Sequence, residues 1–334
     1  MDDLAERFRA AAVEYDGASP LYRGLALKIA GDPGLLALAD AARQRVAIPH
    51  LFMAAVHYLL AKEVSAPLRA GYPSLGGKPG SGDPFPLFRH FCLTHAADIR
   101  LLLEGRLVQT NEVRRASCLL PAFCQVATRG GGRPLALIEL GTSAGLLLLF
   151  DQYAYDYGDG RVWGDPHSPV HIDSALRGRG IPPLSQTTPR VVHRIGVDLQ
   201  PLDVRDPDSA AWLKALVWPD ELDRLEVLQG AISLAQTAPP RLVAGDALEL
   251  LPGILSELPP DCTVCVFRAF TPGLSQERLT EILAIESQRR EAFLVRISGA
   301  MPAQMTVSHF ERGLQIEEQL AYCDAHGEWL EWVM

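Results

Sequence analysis

Apolar residues recur at helical spacing from the start of the chain. Leu4, Phe8, Ala11 and Ala12 share one face of a first helix. Ser19-Pro20 reads as a cap with proline in the first turn of a second helix. Pro49 opens a longer apolar run through Phe52, Val56, Tyr58 and Leu60, and helical patterns return over 85–103 and 112–128. The stretch 72–83 is dense in glycine, proline and serine and predicts a surface loop. Residues 1–130 are therefore expected to form an N-terminal α-helical domain, a cap.

Near Leu135 the period changes. Apolar runs suited to buried strands fall at 135–140, 191–199, 242–244, 263–267 and 293–297. Helical patterns fall between and after them, at 143–153, 210–217, 221–234, 247–258 and 276–290. That alternation predicts an α/β fold, a mostly parallel sheet covered on both faces, over residues 131–334. Residues 152–189 break the pattern with tyrosine, glycine and proline and read as an insertion. Within it, Arg161-Val-Trp-Gly164 and Pro169-Val-His-Ile-Asp173 suggest a small hairpin. At the end, Leu320-Ala-Tyr-Cys323, a turn at Asp324-Ala-His-Gly327, and Glu328-Trp-Leu-Glu-Trp-Val333 predict an antiparallel hairpin. A parallel sheet closed by an antiparallel pair is how Rossmann-like sheets of methyltransferase type end, a fold-level analogy.

Composition narrows the class. The 334 residues are 48% hydrophobic and 21% charged, as in ordinary soluble globular proteins. A formal charge of −9 argues against a bare nucleic-acid surface, which needs clustered Lys and Arg. No apolar run is long enough to span a bilayer, and the acidic opening Met1-Asp-Asp-Leu-Ala-Glu6 is no signal peptide, so a cytoplasmic protein is expected. Six scattered cysteines do not form a secreted disulfide framework and are expected to be reduced.

Candidate chemistry centres on Leu135-Ala-Leu-Ile-Glu-Leu-Gly-Thr-Ser-Ala-Gly145, an apolar strand running into a small-residue loop. Such a loop brings backbone close to a ligand with N–H groups facing outward at a helix start. A dinucleotide loop wants glycines at 141, 143 and 146, where this chain has Gly, Ser and Leu. A methyltransferase loop wants an acid two residues before the first glycine, then small residues at 141, 143 and 145. Glu139, Gly141, Thr142, Ser143 and Gly145 fit that second pattern better.

Open α/β sheets bind ligands beyond the carboxyl ends of their strands. There the second strand offers Asp198, whose carboxylate can accept from two ribose hydroxyls. The third offers Asp246-Ala247, where the acid either receives an adenine amino group or simply caps a helix, since Asp246 and Glu249 form a capping-box pattern. The fourth offers Arg268, either a grip for a carboxylate or phosphate or a partner for a surface acid. Gln109-Thr-Asn-Glu-Val-Arg-Arg115 gathers polar groups just before the sheet. Asn111 and Arg114 in it either reach a substrate or serve as a cap and a solvated charge. Asp151 and Tyr155 are candidate bases near the end of the first helix of the sheet domain.

Other features have bland readings. Cys262-Thr-Val-Cys265 has redox spacing but lies in a strand. His167 and His171 with Asp165 and Asp173 lack a third close metal ligand. The glycines at 76–82 lack the Gly-Lys-Ser/Thr ending of a phosphate loop, and Ser143 is not in a Gly-x-Ser-x-Gly elbow. Tyr153, Tyr155 and Tyr157 line a pocket or pack under the insertion.

Taken together, several motifs make the chain resemble a bacterial family known as domain of unknown function 2332. They are Gln109-Thr-Asn-Glu-Val113, Glu139-Leu-Gly-Thr-Ser-Ala-Gly-Leu146, Asp151 with Tyr153 and Tyr155, Arg194-Ile-Gly-Val-Asp-Leu199, Trp218-Pro-Asp220, Gly245-Asp-Ala247 and His326-Gly-Glu-Trp-Leu-Glu-Trp332. The family looks like a divergent relative of class I methyltransferases that use S-adenosylmethionine. The resemblance implies that Glu139, Gly141, Ser143 and Gly145 cradle the methionine end, that Asp198 holds the ribose and that Asp246 sits by the adenine. The expected activity is methyl transfer to a small molecule, with no nucleic-acid or membrane partner. A nicotinamide-dependent oxidoreductase and a nucleoside-cofactor-binding protein without turnover are the alternatives.

Overall fold

The structure is a computed structural model that describes residues 2–42, 46–78, 82–185, 188–271 and 273–334. Its helices are α1 (Asp2–Glu14), α2 (Pro20–Ile29), α3 (Pro33–Ala39), α4 (Ile48–Lys62), α5 (Phe85–Thr94), α6 (Ala96–Gly105), α7 (Ala116–Arg129), α8 (Pro207–Ala215), α9 (Leu222–Thr237), α10 (Ala247–Glu257) and α11 (Gln276–Glu286). The strands are β1 (Leu135–Leu140), β2 (Ala154–Asp156), β3 (Val162–Gly164), β4 (His171–Asp173), β5 (Ala175–Arg177), β6 (Val191–Asp198), β7 (Arg241–Ala244), β8 (Thr263–Ala269), β9 (Ala292–Ser298), β10 (Ala303–Glu311), β11 (Leu314–Cys323) and β12 (Trp329–Trp332). The chain divides into two compact units, 1–110 with 207–226, and 111–206 with 227–334. That division differs from a single boundary near 130: α7 falls in the second unit and α8 in the first.

The first unit is helical. Ser19 accepts a hydrogen bond from Tyr22 N at 3.2 Å and Pro20 opens α2, so the Ser-Pro pair acts as a cap. Asp32 caps α3 in the same way, accepting from Gly34 N and Leu35 N. The 15-residue α4 is buried over nearly its whole length, from Ile48 through Leu60, as expected of a helix apolar on all sides. Asp208 on α8 accepts from Tyr58 and from Lys62 and Arg106, and Trp212 donates to Leu107 O at 3.1 Å.

The second unit is built on a nine-stranded sheet in the order β5-β12-β11-β10-β9-β8-β1-β6-β7. The five strands β9, β8, β1, β6 and β7 are mutually parallel, and β10, β11 and β12 follow antiparallel. The expected closing hairpin is present as β11 and β12. It is the end of a longer antiparallel run that begins at Ala303. From β1 the chain builds outward through β6 to β7, then returns to the other side of β1 for β8. The gap between β1 and β8 is therefore the topological switch point, where open sheets of this kind leave a crevice.

Both faces are covered. On one, Ile138, Leu140, Val266 and Leu294 pack against Leu251 of α10 and Leu283 of α11. On the other, Phe123 of α7 lies 5.1 Å from the ring of Phe267 and 4.6 Å from that of Phe150. All six cysteines are buried and free, Cys262 and Cys265 among them. No helix is long and apolar enough to cross a membrane among the described residues.

Two expectations are corrected here. Residues 143–153 do not form an α-helix; Leu146–Gln152 is a seven-residue 3-10 segment. Its five apolar residues are all buried. Side chains also take carbonyls that α-helical amides would use. Tyr153 donates to Leu146 O at 2.6 Å, Arg194 to Leu148 O at 2.8 Å, and Tyr155 to Phe150 O. In the insertion, 161–164 and 169–173 do not pair with each other. Instead β3 and β4 flank β2, the first antiparallel and the second parallel, and β5 joins the edge of the large sheet beside β12.

Candidate functional site

β1 ends at Leu140, and the chain turns on three left-handed residues, Gly141 (φ +76°), Ser143 (φ +53°) and Gly145 (φ +73°). Glycine adopts this region without strain, and it is also required sterically here. A Cβ on Gly141 would lie 2.4 Å from Thr271 Cγ2, and one on Gly145 would lie 2.8 Å from Pro240 Cγ. Gly141 N and Thr142 N donate to Val197 O at 2.8 and 3.2 Å, and Ser143 N donates to Asp198 Oδ2 at 2.9 Å. Gly145 N donates to Thr142 O, and Leu146 N donates to Asn111 Oδ1 at 3.0 Å. Asn111 in turn donates to Thr142 O at 3.4 Å. The loop is thus stitched to β6 and to residue 111. The expectation of outward-facing N–H groups is corrected: those of 141, 142, 143, 145 and 146 are all bonded inside the protein.

Three carboxylates mark the ends of β1, β6 and β7. Glu139 is 3% exposed, and its Oε2 accepts from the buried Thr142 hydroxyl at 2.7 Å. Burial pushes its pKa up to about 8, against the lowering effect of the Thr142 hydrogen bond; nearby Asp198 raises it further and Arg115 lowers it. Asp198 accepts one backbone N–H on each oxygen, from Ser143 and from Gln200 at 3.0 Å.

Asp246 is exposed and caps α10, its Oδ1 accepting from Leu248 N at 2.8 Å and Glu249 N at 3.2 Å; Ala247, the first helical residue, is buried. The capping role is established by this geometry, and Oδ2 makes neither of these bonds. Asp246→Ala is expected to destabilise the protein by about 1 kcal/mol while Asp246→Asn keeps most of the cap, a difference that denaturant unfolding will read.

The segment 111–115 contributes more than its sequence pattern suggested. Glu112 is buried, accepts from Arg114 N at 3.4 Å, and lies 3.2 Å from His326 Nδ1. Arg115 donates through Nε to Ala325 O at 2.7 Å and lays its guanidinium 4.6 Å from the ring of Phe270, itself held at φ +57°. Arg114 is half-buried, and its Nε is shielded from solvent without a partner. Glu112 and Arg115 were not singled out in the sequence. The signal was their place in the same polar run as Asn111, but nothing local showed that Arg115 would act on Glu139.

Other candidates lie elsewhere. Asp151 pairs with Arg194 through Oδ2 at 2.7 Å while its Oδ1 is buried without a hydrogen-bond partner, and the fully buried Tyr155 gives its hydroxyl to Phe150 O. Arg268 follows Phe267, whose register partner is Glu139, so strand alternation turns Arg268 to the opposite face of the sheet. Among the described residues no group of three or more His, Cys, Asp or Glu is placed to hold a metal ion, and His167 and His171 form none.

Fold and loop together define a mixed α/β protein with a mostly parallel sheet and acids at three successive strand ends, those of β1, β6 and β7. The chain matches, over residues 5–332, the model of the family described as uncharacterized protein conserved in bacteria (DUF2332), and it belongs to that family. No curated protein matches it at a significant level.

Proposed function

We propose that the crevice beyond β1, β6 and β7 binds S-adenosylmethionine and that the protein transfers its methyl group to a small-molecule acceptor. The observation that carries this reading is the charge and hydrogen-bonding character of the site. Glu139, Asp198 and Asp246 stand at three successive parallel strand ends, while the loop N–H groups are bonded inside the protein. A nicotinamide dinucleotide brings a pyrophosphate that is held by free N–H groups at the start of a helix. This chain has a seven-residue 3-10 segment there. S-adenosylmethionine has no phosphate and carries an ammonium and a sulfonium, and three acids suit it.

The residues fit that molecule by type. Glu139 is a buried acid that stays protonated up to about pH 8 and becomes a carboxylate when a cation such as the methionine ammonium is set beside it. Arg114, with an unpartnered Nε, would take the methionine carboxylate. Asp198 would accept the ribose hydroxyls while continuing to hold Ser143 N, and Asp246 would accept from the adenine amino group while capping α10. The bound cofactor supplies an electrophilic methyl carbon for in-line attack. The protein's contribution is to fix the cofactor's position through a loop with few free degrees of freedom, a proximity effect.

Thermal denaturation with S-adenosylmethionine, S-adenosylhomocysteine, NADH and ATP tests this. The two sulfur compounds are expected to raise the melting temperature, by an amount equivalent to about 2.7 kcal/mol at one hundred times Kd. Protection by NADH alone would replace this reading with the oxidoreductase one. Protection by the sulfur compounds with no transfer to any acceptor would leave a binding protein without turnover.

A further inference from the structure

On the face of the sheet away from Glu139, two apolar strands carry an arginine at the same level. Arg268 of β8 and Arg296 of β9 are register partners, and Thr306 of β10 is the register partner of Arg296. The three therefore stand side by side in one row, at the carboxyl ends of β8 and β9, over the start of α11. Gln276, the first residue of α11, accepts from both guanidiniums through one oxygen, from Arg268 at 3.1 Å and from Arg296 at 3.2 Å. Arg296 is balanced by Glu317 at 2.6 Å. Arg268 has no carboxylate partner among the described residues; its other bond is a long one, 3.4 Å, to Leu274 O.

The polar atoms left over are all of one kind. Arg268 Nε, Arg296 Nε, Gln276 Nε2 and Thr306 Oγ1 are each shielded from solvent and without a hydrogen-bond partner. All four can donate. Buried polar groups are as a rule paired, and an unpaired positive charge beside a second one is unfavourable. What this cluster lacks is an acceptor with several oxygens and negative charge.

We propose that Arg268, Arg296, Gln276 and Thr306 form a binding site for a small oxyanion, a phosphoryl or carboxylate group, that completes the row. The site stands beside the switch point, so the group is either part of a substrate that enters the crevice or an anionic ligand in its own right. It does not depend on which nucleoside binds on the Glu139 face.

The test uses the full-length protein without nucleoside, titrated with inorganic phosphate or with malonate at constant ionic strength set by chloride. Melting temperature and calorimetric heat are followed. Wild type is expected to show a saturable rise in melting temperature with at least one of the two anions and none with chloride. A response to phosphate alone assigns a phosphoryl ligand, and one to malonate alone a carboxylate. Arg268→Lys keeps the charge but loses the planar fork, and is expected to weaken the apparent affinity at least fivefold. Thr306→Val, which keeps the shape and removes only the hydroxyl, is expected to weaken it two- to threefold. A wild-type response no greater than that to chloride overturns the proposal. So does an equal response in wild type, Arg268→Lys and Thr306→Val.

Discussion

Gly141→Ala is expected to lower the melting temperature by about 5 °C or more and to abolish nucleoside binding. Two costs combine. An L-residue at φ +76° pays about 1–2 kcal/mol for the left-handed conformation. The new Cβ also meets Thr271 Cγ2 at 2.4 Å and Oγ1 at 2.6 Å, an overlap that forces the loop or the threonine to move, for about 1–3 kcal/mol more. In a chain of this size each kcal/mol shifts the melting temperature by roughly 2–4 °C. The clash and the strain can be separated. Thr271→Ala removes both overlapping atoms, so Gly141→Ala/Thr271→Ala is expected to recover most of the second cost and none of the first. The comparison must include Thr271→Ala alone, because Thr271 Oγ1 donates to Leu140 O at 2.9 Å. Simple additivity of the two single variants would show that Gly141 is not needed for the close approach of Thr271.

Glu139→Gln is expected to make the protein more stable than wild type at pH 8 and to remove a pH dependence that wild type shows. In the fold, Glu139 holds its proton up to about pH 8; in an unfolded chain it loses it near 4.5. The folded pKa is raised, so the stability linked to this proton is fully present below about pH 4.5. It then declines as pH rises, by roughly 1.4 kcal/mol per unit, and is gone above about pH 8. Glutamine is neutral throughout and can still accept from the Thr142 hydroxyl. The difference in unfolding free energy between variant and wild type should therefore grow in the variant's favour by a few kcal/mol from pH 4.5 to pH 8. Parallel stability curves would show that Glu139 titrates as an ordinary carboxyl. The same substitution is expected to weaken S-adenosylmethionine binding at least tenfold, because an amide cannot pair with the ammonium. For wild type, that pairing displaces the Glu139 proton, so affinity should rise between pH 6 and pH 7.5.

Much of the parallel sheet was legible because its central strands β1, β8 and β9 are apolar on both sides over most of their length. β1 is buried at all six positions, and its run 135–140 coincides with the strand. The caps at Ser19 and Asp246 were legible for a local reason, since a cap involves only its own neighbours. What failed to show were features decided across the chain. Leu146–Phe150 looks helical by composition, but Tyr153, Tyr155 and Arg194 take its carbonyls, and the last of these comes from another strand. β10 alternates only over 303–307, the period breaking at the adjacent buried Val307 and Ser308, and its threonine, serine and histidine interrupt the apolar run. Strand parity, fixed by the register of Glu139 with Phe267, separates Arg268 from the acids although all stand at strand ends. Arg115 reaches Glu139's surroundings only because α7 packs on that face.

The central claim is that the acids at the strand ends hold a cationic nucleoside, and a calorimetric titration tests it most directly. Purified wild type and Asp198→Ala would each be titrated with S-adenosylmethionine, with melting curves to verify that both are folded. Wild type is expected to bind with micromolar affinity, about −8 kcal/mol, and Asp198→Ala at least tenfold more weakly because the ribose hydroxyls lose their acceptor. No heat from wild-type protein that melts cooperatively, or equal affinity in the two proteins, would contradict the account.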